Sequence, residues 1–151
     1  MSWSERLAEL GLALPPVVPP AGVYVPAVQS GSLVFTAGQV PLVDGAMVAT
    51  GKLGAEIDTE LGRSLARTCV LNALAAVDGL VGLDSVVRVV KLVGFVASAP
   101  GFTAQPVVLN GASELLGEVF GGAGAHARSA VGVAELPLGA PVEVELVVEV
   151  S

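Results

Sequence analysis

Val142-Glu143-Val144-Glu145-Leu146-Val147-Val148-Glu149-Val150 closes the chain on a two-residue alternation. Residues two apart in a strand share a face. Val142, Val144, Leu146, Val148 and Val150 therefore form one apolar face, and Glu143, Glu145 and Glu149 point the other way. Upstream, His126-Ala127-Arg128-Ser129-Ala130-Val131-Gly132-Val133-Ala134-Glu135-Leu136-Pro137 reads as a companion strand. There Arg128 shares its side with Ala130, Gly132 and Ala134, whose small side chains leave open space before the guanidinium. A fork of donors above such a floor suits a carboxylate.

Working outward, Val86 to Ala97 is the longest β-branched run and reads as a central strand. Two helices flank it. The first runs from Thr59 to about Val77, with Asp58 as N-cap and Asp78-Gly79 as its end. Its half from Cys69 to Val77 is apolar on nearly every side except Asn72, which fits a helix lying on a sheet. The second spans Gln105 to Phe120, with Thr103 as candidate N-cap and Gly121-Gly122-Ala123-Gly124 as its stop. Val108, Ala112, Leu115 and Val119 form its stripe, widened by Leu109, Leu116 and Phe120.

Nearer the N-terminus, Ser2-x-x-Glu5 is a capping box opening a short helix through Leu10. A proline-rich arm follows, Leu14 to Pro20. Tyr24 to Val28 and Leu33 to Ala37 read as strands, Pro26 marking an edge or strand-start position. The Asp44-Gly45 turn leads into a short third strand around Ala46 to Ala49. The order is βββαβαββ: a two-layer α/β sandwich, one mixed sheet with both helices on one face. Residues 1–21 make a helix and arm, residues 22–151 the domain proper. The uncovered face, expected to carry Arg128 and the glutamates together, is the natural subunit interface.

Composition supports association. The 151 residues are 53% hydrophobic and only 14% charged, against roughly 25% charged in an average soluble domain. Mean hydropathy is +0.78. Leu10 to Val43 is uncharged, but Pro15, Pro16, Pro19, Pro20, Pro26 and Pro41 interrupt it, so it makes no spanning helix. The start, Met1-Ser2-Trp3-Ser4-Glu5-Arg6, lacks a basic head and apolar run, so a cytoplasmic location is expected. Net charge is −7, with seven scattered Lys and Arg residues; nucleic acid and anionic membranes are disfavoured partners. Cys69 is the single cysteine and reads as buried packing, and no metal-ligand spacing exists.

Tyr24-Val25, Thr36-Ala37-Gly38-Gln39-Val40-Pro41, Asn110, Ala127-Arg128-Ser129 and Val142-Glu143-Val144-Glu145 occur in that order. In these words the chain resembles the RidA (YjgF) family of imine deaminases, over residues 22 to 150. The resemblance implies a chorismate-mutase-like fold and a homotrimer with clefts between neighbours. It implies hydrolysis of 2-imino acids, of the 2-iminobutanoate and 2-iminopropanoate kind, to 2-oxo acids and ammonia, without metal or cofactor. Carried over, Arg128 grips the substrate carboxylate with help from backbone near Gly38. Tyr24 and Asn110 line the cleft, Glu145 places water, and backbone around Ala130 meets the imine nitrogen. Ala130 stands where cysteine is frequent, Ser113 where an aromatic residue is expected and His126 where proline is usual.

A protonated imine is already electrophilic, so its hydrolysis needs orientation and a placed water rather than a nucleophilic side chain. Two other readings of the same residues stand beside this one. Arg128 pairs structurally with Glu145 or another acid, or the fold senses a small carboxylate without turnover. His126 is expected on the loop surface. Ribonuclease chemistry is opposed by the negative charge and by the lack of a histidine pair.

Overall fold

The computed structural model describes residues 1–151, and its sheet is organised around β5 (Val86–Ala97). Twelve residues rich in valine give β5 length to pair along both edges. It runs antiparallel to β7 (Val142–Val150) and parallel to β6 (Ala127–Val133). Parallel neighbours need a crossover, and α3 (Gln105–Phe120) supplies it. Beyond β7 lie β2 (Leu33–Thr36) and β1 (Ala27–Ser30), so the order is β1-β2-β7-β5-β6.

α2 (Thr59–Val81) and α3 pack side by side on one face. The β7 alternation is realised as read: Val142, Val144, Leu146, Val148 and Val150 are at most 4% exposed, while the three glutamates are half-buried on the other side. Leu92, Val96, Leu74 and Leu109 complete the centre of the core. Two glycines allow the close layers. A side chain at Gly94 would run into Leu109, and one at Gly111 would strike the Arg63 carbonyl where α2 meets α3. α2 is long and apolar enough to cross a membrane, but its apolar side is consumed by this core.

Several boundaries differ from expectation. The first strand begins at Ala27, and Tyr24 lies in a bend before it. Pro26 has no N–H to enter a ladder, and only its carbonyl takes part, accepting from Ala37 at 2.8 Å. The expected third strand is a two-residue ribbon outside the main sheet, β3 (Leu42–Val43) with β4 (Ala46–Met47). Asp44 and Gly45 both take positive φ there, 51° and 79°, as a tight hairpin turn requires. α2 runs through Gly79 and stops at Gly82, whose φ is +83°. The N-cap of α3 is Ala104 with no side-chain bond, not Thr103. By contrast Asp58 caps α2 through Leu61 N–H at 2.8 Å.

The capping box of α1 (Trp3–Glu9) forms as read. Trp3 donates from Nε1 to the Val86 carbonyl at 2.8 Å and meets Phe120 edge-on, so α1 docks at the end of β5 and α3.

Candidate functional site at two edges of the sheet

Register decides where Arg128 points. It stands beside Leu92 on β5, and Leu92 stands beside Leu146 on β7. Both neighbours are buried under the helices, so Arg128 lies on the helix-covered face, at the outer edge of the sheet. This corrects the expectation that Arg128 shares the uncovered face with the glutamates. Its Nη1 donates to Asn110 Oδ1 at 2.8 Å and Ser113 Oγ at 3.2 Å, both on α3. No Arg128–Glu145 pair forms within the chain. The four ion pairs are Arg6–Glu9, Lys52–Glu135, Arg63–Glu114 and Arg67–Glu118. Arg128 is thus a half-buried cation held by neutral groups, its Nε and Nη2 unengaged within the chain.

The floor beside it is partly occupied. Ala130 follows on the same side, opposite Gly94. A Cβ at Gly132 would sit 2.6 Å from Gln105 Nε2, so the first turn of α3 fills the far end.

The remaining predicted residues gather elsewhere. Asn72, the polar exception in α2, donates to the carbonyls of Val40 and Leu42 at 3.1 and 3.0 Å. Gln39 exchanges backbone bonds of 2.7 and 2.9 Å with Val144. Together these pin the Gly38-Gln39-Val40-Pro41 segment against β7. Gly38 then lies directly on the carboxylate of Glu143, leaving no room for a side chain. Tyr24, Gly38 and Glu143 line two hollows, about 680 and 300 Å³. Tyr24 is half exposed, and its Oη accepts from Ala21 N–H at 3.1 Å, tying it to the N-terminal arm.

Glu145 lines neither hollow. The acid brought to Tyr24 and Gly38 is Glu143, which sequence reasoning passed over. Alternation places both acids on one face, and only the contact with the Gly38 segment separates them. Burial pushes the Glu143 carboxyl above the ordinary glutamate range, and the Glu145 charge adds to the rise.

His126 is the second residue that reasoning undervalued. It is half-buried rather than free on a loop, with Nε2 3.0 Å from Ser113 Oγ and Nδ1 2.6 Å from the Gly124 carbonyl. Two of the three positions at which the sequence departs from the resemblance, Ser113 and His126, touch each other beside Arg128.

The candidate residues therefore fall into two groups. Arg128, Asn110 and Ala130 sit at the β6 edge on the helix side; Glu143 projects from the other face of β7, with Gly38 and Tyr24 beside it. Two strand spacings, about 10 Å, and the sheet itself separate Arg128 from Glu143. One copy cannot bring them together.

Residues 4–150 match the family described as "YjgF/chorismate_mutase-like, putative endoribonuclease". Protein TCP17 of Trypanosoma cruzi is 47% identical over 150 residues, covering 98% of this chain and 94% of that protein. A crystal structure from Shewanella oneidensis, described as "a putative endoribonuclease", superposes with a TM-score of 0.96 at 33% identity, covering 99% of this chain and 100% of that one. TdcF of E. coli, crystallised with bound serine, gives 0.64 at 26% identity, covering 91% and 94%. Likeness in sequence and shape runs from the first helix to the last strand, and the chain belongs to the YjgF/RidA-like family.

Proposed function

We propose that the protein hydrolyses 2-imino acids to 2-oxo acids and ammonia in clefts shared between protomers of a homotrimer. The observation that carries this reading is Arg128: a half-buried guanidinium without an acid partner, at a sheet edge, with donors to spare. An arginine so placed lacks the counter-charge that burial ordinarily demands, and a small carboxylate supplies it. Serine, bound to TdcF, is a ligand of that size and bears a carboxylate. The separation of the two residue groups supports a shared cleft, in which Arg128 of one copy faces Tyr24, Gly38 and Glu143 of the next.

The chemistry needs little else. Arg128 holds the carboxylate and so fixes the adjacent C2. Water adds to C2, a C–O bond forms, and the C=N π pair moves to nitrogen. One proton passes from that oxygen to nitrogen; the oxygen then gives up its second proton to a base, its electron pair closes the C=O bond as the C–N bond breaks, and ammonia leaves with the C–N pair. Glu143, whose carboxyl burial and the Glu145 charge raise above the ordinary glutamate range, is the acid in place to serve that transfer. In this reading it replaces Glu145, while Ala130 offers backbone to the nitrogen.

Complementation tests the shared cleft. Arg128→Ala and Glu143→Ala chains are each expected to lose the acceleration of oxo-acid release from a freshly generated imine. Co-refolded in equal amounts, they regain about a quarter of wild-type activity, because one interface in four then joins an intact arginine to an intact glutamate in any closed ring. No recovery from the mixture overturns the shared cleft. A wild type inert on several imines, yet stabilised by 2-oxo acids, would leave the second reading, a carboxylate-binding module without turnover. Endoribonuclease activity finds no support in a chain of net charge −7 with one histidine.

A further inference from the structure

Ser113 and His126 form a directed chain of hydrogen bonds that ends on Arg128. The Gly124 carbonyl, 2.6 Å from His126 Nδ1, can only accept, so the proton of the neutral ring sits on Nδ1 and Nε2 is an acceptor. Ser113 Oγ, 3.0 Å away, therefore donates its proton to Nε2. With that proton committed, the hydroxyl turns a lone pair to Arg128 Nη1 at 3.2 Å. Asn110 Oδ1 takes the same nitrogen at 2.8 Å. Nη1 has two hydrogens, and these two acceptors use both.

A guanidinium can grip a carboxylate in two bidentate ways, end-on through Nη1 and Nη2 or side-on through Nε and Nη2. Saturating Nη1 removes the first. We propose that His126 is a positioning residue: acting through Ser113, it engages Nη1 and leaves the Nε–Nη2 edge of Arg128 as the only fork for the ligand's carboxylate. The inference rests on the reading of Arg128 as a carboxylate grip and adds how that grip is aimed. It selects ligands whose carboxylate lies in the plane of the guanidinium and approaches from the side away from α3. It also gives two of the three departures from the family pattern, Ser113 and His126, one joint role, since a proline at 126 has no side-chain acceptor for the Ser113 hydroxyl.

The test measures 2-oxobutanoate affinity by calorimetry on the full chain, for wild type and five variants. Ser113→Ala and His126→Phe break the relay and are expected to weaken binding about three- to tenfold, the effect of one lost hydrogen bond that orients a charged group. Ser113→Thr keeps the hydroxyl and His126→Gln keeps an acceptor, and both stay within about twofold of wild type. In wild type the Nε–H resonance of Arg128 shifts on adding 2-oxobutanoate, a change that a merely structural role does not produce. Unliganded melting temperatures establish that each variant is folded.

Unchanged affinity in Ser113→Ala and His126→Phe, with wild type binding and Arg128→Ala not, overturns the relay and leaves the carboxylate grip standing. Equal weakening in the broken and conservative variants overturns it too, since packing then explains the loss. A wild type that fails to bind 2-oxobutanoate, no differently from Arg128→Ala, removes the grip and the relay together.

Discussion

The two faces of β7 were made by one alternating sequence, yet they do opposite work. On the covered face every even residue from Val142 to Val150 is sealed beneath α2 and α3. On the other, Glu143, Glu145 and Glu149 stay half-buried without an ion pair. The first face spends its side chains on stability. The second keeps charge that a lone protomer leaves uncompensated, and burial already strains one of its acids toward the neutral form. Arg128 shows that these roles follow position as well as face. It lies on the covered side, but at the edge strand, where α3 offers it Asn110 and Ser113 instead of a carboxylate. Function collects where the sheet runs out of neighbours.

The contrast between faces is easiest to break at its centre. Leu146 is 1% exposed and stands beside Leu92, so Leu146→Ala should cost about 2–5 kcal/mol from lost burial and the residual cavity. Thermal unfolding should show that loss, while the adjacent Glu145→Gln moves stability by no more than about 0.5 kcal/mol. Similar losses at the two positions would mean the uncovered face is as tightly packed as the core.

Arg128→Ala probes the edge. Losing charge-assisted hydrogen bonds to a carboxylate costs about 1.5–3 kcal/mol, or roughly 10- to 150-fold in imine turnover. Arg128→Lys should recover little of this, because an ammonium lacks the planar fork. Full activity in the lysine variant would show that charge alone, and not the aimed edge, carries recognition.

Much of this architecture was legible because it is local. β5 and α3 follow their sequence signals to the residue, since valine runs and a glycine-ended apolar stripe need no distant partner to declare themselves. Asp58 and the Ser2–Glu5 box were readable for the same reason. The N-cap of α3 was not, because Pro106 in the first turn already removes a donor and weakens the demand for a side-chain cap. The site suffered more. Alternation tells which residues of a strand share a face but not which face lies under the helices. That depends on β6 pairing in parallel with β5, a non-local choice that put Arg128 beside Leu92. The choice between Glu143 and Glu145 is non-local in the same way. It is made by Gln39 bridging to Val144, which lays Gly38 on one acid and not the other. His126 could have been suspected, since the only histidine, two residues before the key arginine, coincided with an unusual Ser113. The contact between them needed the turn at Gly124 to be seen.

The smallest expected effect sharpens the difference between those two acids. The Glu143 carboxyl is raised first by burial and then by Glu145, so from the ordinary glutamate value up to its own raised value the folded chain holds a proton that the unfolded chain has released. More protons bound in the folded state make stability fall as pH climbs through that window. Above the window the cost of the buried charge is fully present; below it, both states are protonated and the cost is gone. Glu143→Gln removes the charge while keeping the shape. It should therefore melt about 1–3 °C above wild type at neutral pH and converge with it as pH drops below the window. Glu145→Gln removes only the lesser cause and should give a smaller gain with the same sign. If melting curves across pH show no gain for Glu143→Gln, another cation must already neutralise Glu143 in the folded assembly. A neighbour's arginine brought to the uncovered face is the group that would do so, and double substitution with Arg128→Ala should then restore the missing difference.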